Sequence, residues 1–200
     1  MNPICIACIV EGYGDVEAVP ITVRRIALAV APDVTLQIAH PAIRVARNKI
    51  VQPQQLESAV ELAARKLDGP GGILVLMDAD EDCPAQLGTD LLKRAVAARS
   101  DYPVAVVIAK PEFEAWFASA AVSLRGSQGL APDLVPPQHP EGLSDAKGWL
   151  RRNMLGSRKY SETVDQAVFA RRFDLHEAKA CGSFDKLCRD IEMLISRLRA

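Results

Sequence analysis

Three groups of acidic residues mark the first 142 positions: Glu11/Asp15/Glu17, Asp78/Asp80/Glu81/Asp82 and Glu112/Glu114. They hold nine of the 17 acids in that stretch, and each follows an apolar run that reads as a β-strand. Carboxylates gathered in one place repel each other unless a cation neutralises them. Hard oxygen donors suit Mg²⁺ or Mn²⁺, ions that keep several waters and contact substrate phosphates. The spacing Asp78-x-Asp80-x-Asp82 strengthens the pattern, because alternate residues of an extended chain project to one side. Any one acid after a strand can equally cap the next helix. Three strand–helix junctions of this acidity exceed what capping needs, and a metal site is the expectation.

The elements that must position these acids can be read from periodicity. Ile4 to Val10 is a continuous apolar run, as a parallel strand buried on both faces requires. A tight turn, Glu11 to Asp15, leads to a helix over Glu17 to Ala31, with Pro20 placed in its first turn. Thr35 to Ala39 reads as a second strand, and Gln54 to Leu67 as a helix opened by Pro53. Ile73 to Met77 and Val104 to Ala109 read as further strands, separated by a helix over Pro84 to Arg99. A last helix of this series opens in Lys110-Pro-Glu112-Phe-Glu114-Ala-Trp116-Phe. Alternation of this kind predicts an α/β fold: a Rossmann-like, mostly parallel four-stranded sheet with helices on both faces. The carboxyl ends of such strands share one edge, where ligands bind.

Past that point the pattern changes. Residues 1–125 form the expected α/β core, 126–142 a Pro- and Gly-rich linker, and 143–200 a helical extension packed on the core. Its segments are expected near 144–155 with Ser144 as cap, 162–172, and 183–199 with Ser183 as cap.

Composition bounds the function. Hydrophobic residues make up 49% and charged residues 24% of 200 residues, enough for one well-packed domain. No apolar run approaches the roughly 20 residues that span a bilayer, so no membrane partner is expected. The five cysteines are scattered and odd in number, which points to a cytoplasmic protein with buried thiols. Cys5-x-x-Cys8 lies within a strand, where residues three apart face opposite ways and cannot share a zinc ion. Net charge is −1, yet residues 1–142 carry 12 Lys and Arg against 17 acids, and residues 143–200 carry 12 against 8. Arg151, Arg152 and Lys159 lie in the basic part and are candidates for contacting a phosphodiester backbone. Solvated helix faces would account for them equally well.

Ile9-Val-Glu11-Gly12-Tyr-Gly-Asp15, followed by Asp78-Ala-Asp80-Glu-Asp82, resembles the Toprim domain of bacterial primases, topoisomerases and OLD-family nucleases. With Ala109-Lys-Pro-Glu-Phe-Glu-Ala-Trp-Phe117 and Tyr160-Ser-Glu-Thr-Val-Asp-Gln166, the chain looks like an uncharacterised bacterial family of that superfamily. The resemblance makes Glu11 a metal ligand or general acid/base, and Asp78 and Asp80 the metal-binding pair. Asp82 becomes a third ligand and Asp15 the second acid found in OLD-type nucleases. Glu114, or else Glu112, becomes the late carboxylate that helps hold a second metal, and Lys110 the cation opposite a pentacoordinate phosphate.

The resemblance implies a Mg²⁺- or Mn²⁺-dependent nuclease or nickase, placed in a defence or DNA-repair assembly. Its alternative is a non-catalytic module that binds nucleic acid or a partner ATPase. The chain carries no phosphate-loop motif, so an ATPase would be separately encoded. Nucleic acid, DNA before RNA, is the expected partner, and a homodimer stays open. The three histidines, Gly126-Ser-Gln-Gly129 and the tyrosines supply no competing catalytic pattern. Asp145-Ala-Lys147 and Lys159-Tyr-Ser-Glu162 either tie the C-terminal part to the site or cap helices.

Overall fold

The computed structural model describes residues 3–67 and 69–199. Its sheet has four parallel strands in the order β2-β1-β3-β4: β1 (Ile4–Val10), β2 (Leu36–Arg44), β3 (Gly71–Asp78) and β4 (Val104–Ala109). The helices in chain order are α1 (Asp15–Val30), α2 (Arg47–Ile50), α3 (Gln55–Arg65), α4 (Pro84–Ala98), α5 (Glu114–Ser119), α6 (Ala146–Arg152), α7 (Ala167–Ala170), α8 (Leu175–Ala178) and α9 (Gly182–Arg199). The expected α/β architecture with helices on both faces is therefore present.

Side-chain alternation along the strands divides the core into two layers. Leu74, Leu76, Ala105 and Val107 enter one layer with Val19, Val23 and Ile26 of α1. Ile73, Val75, Val106 and Ile108 enter the other with Leu56 and Val60 of α3 and Leu91 of α4. Two helices thus cover the second layer, but α1 alone cannot cover all four strands on the first. The remainder is closed by α9, whose buried Phe184, Leu187, Ile191 and Leu194 recur at helical spacing and join the same cluster. Helix α9, in the C-terminal part of the chain, is thus a wall of this core layer.

Several boundaries differ from the sequence expectation, each for a local reason. Helix α1 starts at Asp15, so Pro20 lies in its second turn and not its first. Strand β2 runs on to Arg44 through His40-Pro41, with a register irregularity between Ala7 and Ile9 of β1. As an edge strand it tolerates a proline that lacks a ladder donor. Pro53 lies outside α3, whose preceding residue Gln54 adopts φ 68°. Helix α6 is capped by Asp145, which accepts from the Gly148 N–H, and not by Ser144. Ser183 lies inside α9, and its N–H donates to the Glu141 carboxylate at 2.7 Å. The segment expected as one helix over 162–172 is a single π-helical turn, Glu162–Gln166, followed by α7.

Cys5 and Cys8 face opposite layers as expected, and all five cysteines are free. Burial pushes the Cys8 thiol up to about 12, which makes it inert. No helix among the described residues is long and apolar enough to cross a membrane.

Candidate active site at the switch in strand order

In the order β2-β1-β3-β4 the chain leaves β1 towards one side and β3 towards the other. The crevice that such a reversal opens lies between the carboxyl ends of β1 and β3. Glu11 follows β1 directly and Asp78 ends β3, so the two acids flank that crevice. A cleft of about 400 Å³ opens here. Its lining comes from four parts of the chain: the turn Glu11, Gly12, Tyr13 and Asp15; Arg44 at the end of β2 with Ala46, Arg47 and Asn48 after it; Asp78 at the end of β3; and Lys147, Glu162 and Gln166.

The turn after β1 is held closely. Asp15 accepts the Gly12 N–H at 2.8 Å, and its other oxygen accepts from the Gln166 side chain at 2.8 Å. A Cβ on Gly14 would lie 2.0 Å from Gln166 Oε1 and 2.7 Å from the Glu162 carbonyl. Glycine there makes room for the π-helical turn, a feature frequent at functional sites.

Lys147 carries positive charge into the acid cluster. Its Nζ lies 3.6 Å from Asp78, 3.5 Å from Glu112 and 3.5 Å from Glu162. Burial alone would lower its pKa, but Glu114, Asp78, Glu162 and Glu112 raise it above the ordinary lysine value. Asp78 also accepts the Phe113 N–H at 2.9 Å, and Arg47 donates to the Asp78 carbonyl at 2.9 Å. Burial, then the charges of Glu114 and Asp15, hold the Asp78 carboxyl well above the usual range. Burial likewise raises Asp15, and burial followed by the Asp80 charge raises Glu11. One Glu11 oxygen is buried with no hydrogen-bond partner.

The other predicted residues are dispersed around this centre. Strand β3 ends at Asp78, and Asp80 turns into the left-handed region at φ 50°. The extended spacing expected for Asp78, Asp80 and Asp82 is therefore broken, and neither Asp80 nor Asp82 lines the cleft. Asp82 is ion-paired with Arg47. Glu114 is fully buried, accepts the Tyr160 hydroxyl at 2.8 Å, and is pushed up to about 8 chiefly by burial. Glu112 does not line the cleft and reaches it through Lys147. Lys110 lines a separate groove between α4 and α9, and the lysine that lines the cleft is Lys147. Arg151, Arg152 and Lys159 are exposed and do not line the cleft, and Arg152 pairs with Asp145 at 3.6 Å. Glu17 and Glu81 are exposed.

A family model described as a domain of unknown function, DUF4276, matches residues 10–192. The chain belongs to this family. The matched span of the DUF4276 domain begins at the last residue of β1 and takes in every residue that lines the cleft. No curated protein matches the chain, and no solved structure does.

The donor chemistry of Glu11, Asp15 and Asp78 fits a hard divalent cation, and the unpartnered Glu11 oxygen leaves a lone pair for one. Among the described residues, no three His, Cys, Asp or Glu side chains are grouped so as to hold an ion as they stand. Lys147 and Arg47 supply the positive charge in this arrangement.

Proposed function

We propose that this DUF4276 protein is a Toprim-like, Mg²⁺- or Mn²⁺-dependent phosphodiester hydrolase acting on nucleic acid. The observation that carries the reading is the pairing of Glu11 and Asp78 across the switch-point cleft, with Lys147 beside them. Glu11 and Asp78 would hold the ion, with Asp15 beside them and Asp80 within electrostatic reach. When bound, such an ion lowers the pKa of water and stabilises charge on phosphate oxygens.

The chain's own residues do the remainder. Lys147 stays protonated and presents a positive charge at the cleft, where charge builds up on a phosphate under attack. Burial and the Asp80 charge raise the Glu11 pKa, and a cation held there would favour its charged form. Arg47 anchors the end of β3 through the Asp78 carbonyl, while the Phe113 N–H and Lys147 hold the carboxylate itself.

One observation favours the alternative, a module that binds nucleic acid or a separately encoded ATPase without cleaving anything. Lys147 and Arg47 already neutralise much of the acid cluster, as a site that never takes a metal would require. Incubation of the purified protein with Mn²⁺ or Mg²⁺ and supercoiled plasmid, single-stranded DNA or RNA separates the two. Cleavage by the wild type that Glu11→Ala and Asp78→Ala abolish supports the hydrolase. Nucleic-acid binding without cleavage in either metal supports the binding module.

A further inference from the structure

Tyr13 is the one aromatic side chain in the cleft lining, and it is 69% exposed. Its ring is nonetheless fixed. The Arg44 guanidinium carbon lies 3.6 Å from the ring centroid, at stacking distance. Arg44 ends β2, directly opposite Val10 of β1, so both partners spring from neighbouring strand ends. The turn that carries Tyr13 is pinned on both sides, by the Gly12–Asp15 hydrogen bond and by the packing of Gly14 against Gln166 and Glu162. Among the described residues Arg44 has no acidic partner, so its charge is directed at Tyr13 and the cleft mouth.

We propose that Tyr13 and Arg44 form a stacking platform for an unpaired nucleobase, making a single-stranded nucleic acid the substrate of the cleft. This rests on the phosphodiester reading of the site. One ring face is taken by the guanidinium, and the exposed remainder offers a flat apolar surface with charge immediately behind it. Such a surface takes the π-face of any base and is indifferent to sequence. Bases within a duplex have both faces occupied by their neighbours, so only an unpaired base can lie on the ring. Arg44, exposed at the cleft and without an acidic partner, meets the adjoining phosphate. Preorganisation of the pair keeps the entropy cost of docking low.

The test is equilibrium binding, read by fluorescence anisotropy in Ca²⁺, of a labelled single strand, the same strand made abasic, and the matching duplex. Wild type, Tyr13→Ala and Tyr13→Phe are compared, with a mononucleotide as competitor. The platform predicts that the intact strand binds more tightly than the abasic strand or the duplex. It also predicts that Tyr13→Ala weakens the intact strand by roughly 5- to 100-fold while leaving the abasic strand nearly unchanged, and that Tyr13→Phe retains the wild-type affinity. Equal losses for intact and abasic strands, or a duplex bound as tightly as the single strand, would overturn the proposal. A mononucleotide that competes as well as the strand overturns the single-strand assignment, since the base then comes from a free nucleotide. Cleavage is not read in this assay. Base-dependent binding through Tyr13 in a protein that never cleaves would therefore remove the hydrolase and keep the platform. Metal-dependent cleavage with no role for Tyr13 would do the reverse.

Discussion

Lys147 Nζ lies 3.6 Å from Asp78 Oδ2, joining the first turn of α6 to the end of β3. The same ammonium group reaches Glu112 after β4 and Glu162 in the π-helical turn. One cation thus ties two strand ends and the C-terminal segment into a single electrostatic unit. Removing it leaves buried acids without a counter-charge. Because the lysine side chain keeps a quarter of its surface exposed, the expected cost of Lys147→Met is about 1–3 kcal/mol, below that of breaking a fully buried pair. If the acids accept a divalent ion, Mn²⁺ raises the Tm of Lys147→Met by more than it raises that of the wild type. Thermal melts with and without Mn²⁺ read both effects. An equal shift in the two proteins would count against metal and lysine sharing the same acids.

Glu114 makes stability depend on pH. Its folded pKa of about 8 lies above the ordinary 4.5, so between these values the folded state binds more protons than the unfolded one. Stability contributed by this group is present below about pH 4.5, declines as pH rises through the window, and levels off above about pH 8. Glu114→Gln keeps an acceptor for the Tyr160 hydroxyl and removes the titration. Relative to Glu114→Gln, the wild type should lose on the order of a few kcal/mol across that window. Urea unfolding at a series of pH values measures the difference, and parallel profiles would refute this assignment.

Gly14 is a steric requirement. Its backbone is ordinary right-handed helix, φ −68° and ψ −33°, so alanine meets no conformational barrier there. The obstruction is the Gln166 side chain and the Glu162 carbonyl. Gly14→Ala should cost about 1–3 kcal/mol by overpacking and should shift the NMR resonances of residues 162–166 as well as those of the turn.

The C-terminal part is needed for the core to close. A chain ending at residue 142 lacks α9, whose Phe184, Leu187, Ile191 and Leu194 cover the α1 side of β3 and β4. Circular dichroism and hydrogen exchange should find residues 1–142 without cooperative unfolding or protected strands. A cooperative transition in that fragment would show that the layer closes by itself.

Legibility in the sequence followed burial. Strands β1, β3 and β4 are covered on both faces, so they carry unbroken apolar runs, and the expected bounds of β1 and β4 match to the residue. Edge strand β2 is half exposed and contains Pro41, so its second half left no strand pattern although it delivers Arg44 to the cleft. Of the acids that line the cleft, Glu11 and Asp78 are legible because a strand end fixes where each one sits, and Asp15 because it opens the helix after the turn. The turn at Asp80 is not legible, because the spacing of Asp78, Asp80 and Asp82 does not reveal that the strand stops at Asp78. Lys147 was one cation among 12 in the basic segment. Its only signal was the Asp145-Ala-Lys147 string, in which Asp145 caps a helix and Lys147 ties it to the site.

The hydrolase reading turns on whether Glu11 and Asp78 together hold a divalent cation at the switch in strand order. Isothermal titration of Mn²⁺ into the wild type, Glu11→Gln and Asp78→Asn answers this, with circular dichroism confirming that each variant is folded. Saturable binding by the wild type is expected, weakened at least about tenfold, or 1.4 kcal/mol, by each substitution. Absence of binding, or binding that neither substitution changes, would contradict it.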